Sequence, residues 1–372
     1  MNNWIQKTEE ALYEFLRNNY PGLFPLDASG SDLLAMAAKK LSDHFTHSRG
    51  SRPADYLSDP SNRASYIAHF TLTNAAKVFH CFEQLPTVSD ASPLKILDIG
   101  SGAGASPLAA TNFFRGAPLE IQALDKNGAI LKDAASIFEL CRREKDLLDT
   151  RRVEINSRTL NREVGAEKFN IVTIVNFFNE LEDKEEPFRI CSTLIEGCLN
   201  ENGYLIIIDP ALKETTRPLM HLRDRLLDEC DIHVHAPCIH QKPCPMLQSN
   251  DRDWCHFYIE WNRPRLIEEM DELVGTDHTY LKMGYLILKK GSAASVQKGA
   301  SRVVSSPLIS KGKKELMLCN ESGELIKMRR LDRNRSELNS YFDAVKRGDL
   351  IGCNCSDNLE KNSPFKMIRR WN

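Results

Sequence analysis

The chain has 372 residues, 42% hydrophobic and 27% charged, with a formal net charge of −2. Together with a mean hydropathy below zero, this is the composition of a soluble globular protein, long enough for one large or two to three ordinary domains. No window supplies the roughly twenty uninterrupted apolar residues of a membrane span. The first residues, MNNWIQKTEEALYEFL, carry acids where a signal peptide needs a basic start, so a cytoplasmic protein is expected.

Residues 1–90 read as a helical region. TEEALYEFLRNNY has apolar residues at helical spacing, SDLLAMAAKKLSDHF opens on a cap signal, and Asp59-Pro60 marks a turn before a long helix. PTVSDASP reads as a linker. Residues 91–290 then alternate short apolar strands with helices: LKILDIG, EIQALD, FNIVTIVNFF and YLIIIDP are the strands. This alternation predicts a doubly wound α/β parallel sheet, a Rossmann-like fold, with helices on both faces. RPLMHLRDRLLDE and PRLIEEMDELVG are predicted helices, residues 233–262 a cysteine-rich insertion, and TYLKMGYLILKK a returning edge strand. After the connector GSAASVQKGAS, residues 301–350 read as a small basic β-rich module and 351–372 as a tail. Residues 298–372 hold 16 Lys and Arg against 9 Asp and Glu. A basic module beside an acidic body points to a polyanion partner.

LDIGSGAG places Asp98, Gly100, Gly102 and Gly104 where a strand gives way to a helix. Glycines there allow a tight turn and let a ligand reach backbone amides and the helix N-terminus. The next strand ends in Asp125, a carboxylate suited to ribose hydroxyls. The acid at the end of the first strand resembles the class I methyltransferase pattern more than the dinucleotide fingerprint, which makes S-adenosylmethionine the expected cofactor. By that resemblance Asp98 and the glycine loop hold the amino-acid part of the cofactor and Asp125 the ribose, with Asn176 beside the methyl donor. Amino methylation of a base usually needs Asn/Asp-Pro-Pro-aromatic, but this chain reads Asn176-Phe177-Phe178-Asn179-Glu180. Lys126 and Lys213 border the expected site, and no general base or other catalytic residue is assigned.

Eleven cysteines without an export signal are expected to be reduced thiols. Cys81, Cys141, Cys191, Cys198 and Cys230 read as structural. Cys238, Cys244 and Cys255 form C-x5-C-x10-C, with Cys319 further on. Four thiolates suit zinc or an iron–sulfur cluster, His240 or His256 makes a three-Cys-one-His zinc site conceivable, and buried thiols without a metal are the plain alternative.

P-C-x-H-x3-C-P followed by D-W-C-H-F, after a degenerate methyltransferase core, resembles the methyltransferase-like family of small-ribosomal-subunit assembly factors, found in mitochondria with bacterial relatives. YLSDPSNRASYIAHF and RVVSSPLISKGKKELMLC extend the likeness over residues from about 50 to 345. The resemblance implies a [4Fe–4S] cluster on Cys238, Cys244, Cys255 and Cys319, and leaves His240 and His256 as supporting or packing residues. It implies S-adenosylmethionine binding without a settled reaction. It also implies a small-subunit rRNA partner, met by Lys311, Lys313, Lys314, Lys327, Arg329 and Arg330 of the basic module. An assembly factor or rRNA methyltransferase is thus expected. A methyltransferase of a small molecule or protein with structural zinc is the alternative, and a binding-only scaffold the third reading.

Overall fold

The structure is a computed structural model describing residues 2–24, 31–46, 55–86, 93–292, 298–353 and 357–371. The chain divides into two compact units, Met1–Asn200 with Leu205–Ile208 and Glu260–Leu281, and Glu201–Tyr204 with Asp209–Ile259 and Lys282–Asn372. In chain order the first elements are α1 (Asn2–Asn19), α2 (Ser31–Thr46), α3 (Pro60–Phe82), β1 (Leu94–Ile99), α4 (Ala105–Phe113), β2 (Leu119–Asp125), α5 (Gly128–Cys141), β3 (Leu147–Arg152), α6 (Ser157–Val164), β4 (Phe169–Val175), α7 (Glu186–Gly197) and β5 (Leu199–Asp209). They are followed by α8 (Lys213–Glu229), β6 (His233–Ala236), α9 (Pro245–Ser249), β7 (Phe257–Glu260), α10 (Arg265–Val274) and β8 (Tyr280–Lys289). The last are β9 (Ala300–Val303), β10 (Leu308–Ser310), β11 (Lys313–Asn320), β12 (Leu325–Leu331), β13 (Leu350–Cys353), β14 (Asn358–Leu359) and β15 (Phe365–Arg369).

The larger sheet has the order β3-β2-β1-β4-β5-β8-β6, with β7 also on β8. β1 runs parallel to β2 and β4, and β2 parallel to β3. The order turns back at β1, which opens a crevice at the carboxyl ends of β1 and β4, where ligands of doubly wound sheets bind. β6 and β8 pair antiparallel, so this end of the sheet is mixed, unlike an all-parallel dinucleotide-binding sheet. β8, expected as an edge strand, is an interior one with partners on more than one flank. Its run Leu286-Ile287-Leu288 is buried throughout, which is the pattern of a central strand.

In the first unit α3 begins where sequence places it. Asp59 accepts a hydrogen bond from Asn62 N at 2.9 Å, and Pro60 opens the helix without needing an amide donor. Trp4 of α1 stacks on Phe79 of α3 with ring centroids 4.6 Å apart, so the helical region packs into the core unit and does not stand apart as a domain. The linker read at 86–93 lies mostly outside the described residues; of the connector read at 291–301, residues 293–297 lie outside them and the last two open β9.

In the second unit the strand order is β14-β12-β11-β9-β13-β15, with β10 on β11. Val303, Leu316, Leu318, Met328, Phe342, Ile351, Leu359 and Phe365 make its core. The segment expected as a tail therefore supplies strands and core residues. Trp371 packs against Phe257 and Tyr285 at 5.0 and 5.5 Å and donates from Nε1 to Tyr258 O at 2.7 Å. β15 buries one side chain of its five, leaving no period for sequence reading to find. No helix among the described residues is long and apolar enough to cross a membrane.

Candidate functional site

The first unit holds a cleft at the carboxyl ends of β1, β2 and β4, lined by Gly100, Gly102, Asp125, Lys126, Asn127, Glu154, Asn176, Phe177 and Glu180, with Tyr56 and Tyr66 from the region preceding β1. Gly100 and Gly102 have φ of +67° and +52°, values costly for any residue with a Cβ. Space requires glycine as well: a Cβ on Gly100 would lie 2.7 Å from the Phe177 ring, and one on Gly102 3.0 Å from Tyr66 Oη. Asp125 holds the loop, accepting from Gly102 N through Oδ2 and from Asn127 N through Oδ1, each at 2.9 Å. Burial nonetheless raises its carboxyl above the ordinary range.

Of the expected cofactor residues, Gly100, Gly102, Asp125 and Asn176 line this cleft. Asp98 and Gly104 do not. Asp98 is buried beneath the loop, where Thr173 Oγ1 donates to its Oδ1 at 2.7 Å and Oδ2 has no partner. Burial pushes its pKa up to about 6. Gly104 is the N-cap of α4 and packs against Ala134. Lys126 lines the cleft, whereas Lys213 opens α8 in the second unit. Sequence reading missed Tyr56, Tyr66, Asn127 and Glu154 as lining residues; Tyr56 and Tyr66 lie in YLSDPSNRASYIAHF, which carried the family likeness and a helix but no site.

The second unit holds a mostly apolar cavity lined by all four of Cys238, Cys244, Cys255 and Cys319, with Met220, Met246, Phe257, Val304 and Leu325. Arg223, Arg302 and His240 complete its wall. Arg223 holds the cysteine loop by donating to His240 O at 2.9 Å and Lys242 O at 2.8 Å. Arg302, from β9, donates to Pro237 O at 3.1 Å and Gly348 O at 2.7 Å. Asp224 fixes Cys244 by accepting from its amide at 2.9 Å. Burial pushes the Cys244 thiol up to about 11, and burial reinforced by neighbouring thiols raises Cys255 and Cys319 as well. Without a cation these sulfurs keep their protons, so metal binding must release them.

His240 Nε2 lies 3.3 Å from Cys319 Sγ. Both ring nitrogens of His256 are engaged, Nδ1 with Trp254 O at 3.1 Å and Nε2 with Arg347 Nη1 at 3.0 Å. Among the described residues, one group offers three ligand atoms within 4.8 Å of one another: His69, Asp271 and His278 of the first unit. There Asp271 is already taken, accepting from Arg263 at 3.0 Å, Thr276 Oγ1 at 2.7 Å and the His278 amide at 2.9 Å, with His278 Nδ1 2.6 Å away.

The six expected phosphate-binding cations divide in two. Lys311, Lys327 and Arg329 are exposed and Lys313 half-buried; Lys313, Lys327 and Arg329 surround the buried Glu315 at 2.9, 3.5 and 2.9 Å. Three cations on one carboxylate leave a positive surplus. Lys314 and Arg330 instead point inward over the Phe342 ring, with Lys314 Nζ on Asp343 O at 2.9 Å and Arg330 paired to Asp343. These two are structural, because strand alternation puts them on the core face with Leu316 and Met328.

Among solved structures, a ribosomal protein L11 methylase from Lactobacillus delbrueckii subsp. bulgaricus is 15% identical with a TM-score of 0.33, over 59% of this chain and 79% of that one. Magnesium protoporphyrin IX methyltransferase (ChlM) from Synechocystis PCC 6803 is 10% identical with a TM-score of 0.37, over 68% and 100%. The plantazolicin methyltransferase BpumL, solved with SAH, is 12% identical with a TM-score of 0.34, over 77% and 98%. No curated protein sequence matches the chain. A family model described as mitochondrial small ribosomal subunit Rsm22 matches residues 62–346, more than half of the chain and spanning both the cleft and the cysteine cavity, and the chain therefore belongs to the Rsm22 family.

Proposed function

We propose that this protein works at the small ribosomal subunit as an rRNA-binding assembly factor or methyltransferase that binds S-adenosylmethionine and a [4Fe–4S] cluster. The observation that carries the reading is the convergence of Cys238, Cys244, Cys255 and Cys319 on one buried, arginine-walled cavity in a chain of this family. Four thiols and no carboxylate make a donor set that suits an iron–sulfur cluster, with structural zinc as the alternative. Arg223 and Arg302 offset the negative charge that four thiolates bring, and His240 is placed to donate to Cys319. The cluster's chemistry here is to clamp β11 to the loop that carries the other three cysteines.

The cofactor reading rests on the cleft. Gly100 and Gly102 let a ligand approach the backbone, and Asp125 keeps lone pairs for ribose hydroxyls while holding the loop. S-adenosylmethionine would supply an electrophilic methyl group. Lys311, Lys313, Lys327 and Arg329 serve as phosphate contacts for rRNA. Anaerobic purification with absorption spectroscopy and iron and sulfide assay tests the cluster, and calorimetry with S-adenosylmethionine tests the cleft. Brown protein with labile sulfide, lost in Cys319→Ser, is expected; colourless zinc protein, or full cluster retention in the variant, overturns the assignment.

A further inference from the structure

Beside the cleft the first unit carries an open groove at the start of α5 and the end of β3, lined by Lys126, Lys132 and Arg152 with Asp55, Ser58 and Thr150. Asp55, Lys126 and Asn127 line both, so the groove is continuous with the cleft. Its one carboxylate is spent: Asp55 Oδ1 accepts from Asn127 Nδ2 at 2.6 Å and its Oδ2 from Ser58 Oγ. The three cations are exposed and come from the turn after β2, from α5 and from β3; among the described residues none of them is in an ion pair. Arg151, the neighbour of Arg152 on β3, is instead neutralised by Asp149 at 2.8 Å. Arg152 is also aimed. Its Nε donates to Lys126 O at 3.0 Å, and its stem lies over Gly128, where a Cβ would come within 3.3 Å of Arg152 Cδ. That leaves the two terminal nitrogens of the guanidinium to fork onto an anion.

S-adenosylmethionine carries no phosphate, so the cofactor reading gives these cations no task. The first turn of α5 has no amides to spare for an anion either, since Asn127 Oδ1 already accepts from Ala129 N and Ile130 N, each at 3.0 Å. Unpaired cations from three elements on one groove suit a run of phosphates, as along a nucleic-acid backbone. Asp125 and Glu154 line the cleft and not the groove. The two sites are thus sorted by charge, with carboxylates for hydroxyls in the cleft and cations for phosphates in the groove. We propose that Lys126, Lys132 and Arg152 form a phosphodiester-binding groove, by which the first unit holds an RNA strand beside the cofactor cleft without the basic module of the second unit.

This inference rests on the rRNA reading above, and the experiment separates the two. The full chain is titrated into labelled single-stranded oligo(U), read by fluorescence anisotropy across a potassium chloride series. Lys132→Gln with Arg152→Gln should weaken binding and lower the salt slope by about 1.4, the share of two phosphates on a single strand. Gln at position 152 keeps a donor for the Lys126 carbonyl, so the turn stays in place. Arg151→Gln with Arg162→Gln changes the net charge equally, but these exposed cations already meet Asp149 and Glu163, so the slope should hold. Should the groove pair melt early, Lys132→Glu, at an exposed position of α5, carries the test alone. A folded groove variant with wild-type affinity and slope, where Lys327→Gln with Arg329→Gln lowers both, overturns the groove and leaves the rRNA reading standing. Potassium phosphate in place of chloride at equal ionic strength should displace no more oligo(U). Extra displacement that vanishes in the groove variant marks a site for free phosphate and overturns the RNA assignment. Wild type that binds no oligo(U) even at low salt overturns the rRNA reading, and this inference with it.

Discussion

Gly100→Ala separates the two reasons for glycine in the cleft. The residue has φ of +67°, and a Cβ there meets Phe177 Cδ2 at 2.7 Å, Cγ at 2.9 Å and Cβ at 3.0 Å. The left-handed conformation costs an L-residue about 1–2 kcal/mol. Overfilling a packed site costs about 1–3 kcal/mol more. The clash cannot be relieved at the far end of a flexible side chain, since the Phe177 Cβ itself is in the way, so the push reaches the backbone next to Asn176. The sum, about 2–5 kcal/mol, divides between stability and ligand affinity, and 2 kcal/mol alone is about 30-fold in binding. Gly275→Ala is the control: its φ is +76°, but nothing lies within 4 Å of the added carbon, so it shows the backbone cost by itself. Urea denaturation and calorimetry with S-adenosylhomocysteine on both variants give the two numbers. If Gly100→Ala loses no more stability and no more affinity than Gly275→Ala, the contact with Phe177 carries none of the weight placed on it.

Replacing Lys327 and Arg329 together by Gln should weaken rRNA binding and lower the salt slope by about 2, as two phosphate contacts are lost, measured by filter binding across a salt series. Arg330→Met should leave that slope unchanged and lower stability instead, because its partners Asp343 and the Asn339 carbonyl lie inside the module. His69 is buried, and burial followed by the charge of His278 lowers its pKa to about 3. The unfolded chain takes up a proton below about 6.5 that the fold refuses, so stability falls as pH drops from about 6.5 to about 3; His69→Phe should flatten that fall in thermal melts between pH 6.5 and 4.5. Gly348→Ala, with φ of +98° and Trp371 Cγ 2.3 Å from the added carbon, should unseat Trp371 and show as a red-shifted tryptophan emission with a large loss of stability.

The glycine loop and the strand leading into it were legible because both the apolar run and the positive-φ requirement are local. The fourth cysteine was not. Cys319 sits in KELMLCN with no spacing that ties it to Cys255; the sequence offers it as a fourth thiol, and only the family resemblance implies its role as a cluster ligand. α3 offered a helical period and nothing more, so Asn74 looked like an ordinary polar position, although the fold brings it against Asn176 over a separation of 102 residues. Lys314 and Arg330 were misread for another reason. They were counted as charge, but each alternates with apolar residues, Leu316 and Leu318 on one strand and Met328 on the other, and that period already placed them inward.

Cys319 lies 64 residues beyond Cys255, and that separation also sets a schedule. At about 5–20 residues per second of synthesis, the three-thiol loop exists for roughly 3–13 s before its fourth partner has been made at all. For most of that interval it lacks β9 with Arg302 behind it, and throughout it lacks the complete β11 across from it. The lining of the cavity is complete only at Leu325, by which point the first unit, which ends at Leu281, has been synthesised in full.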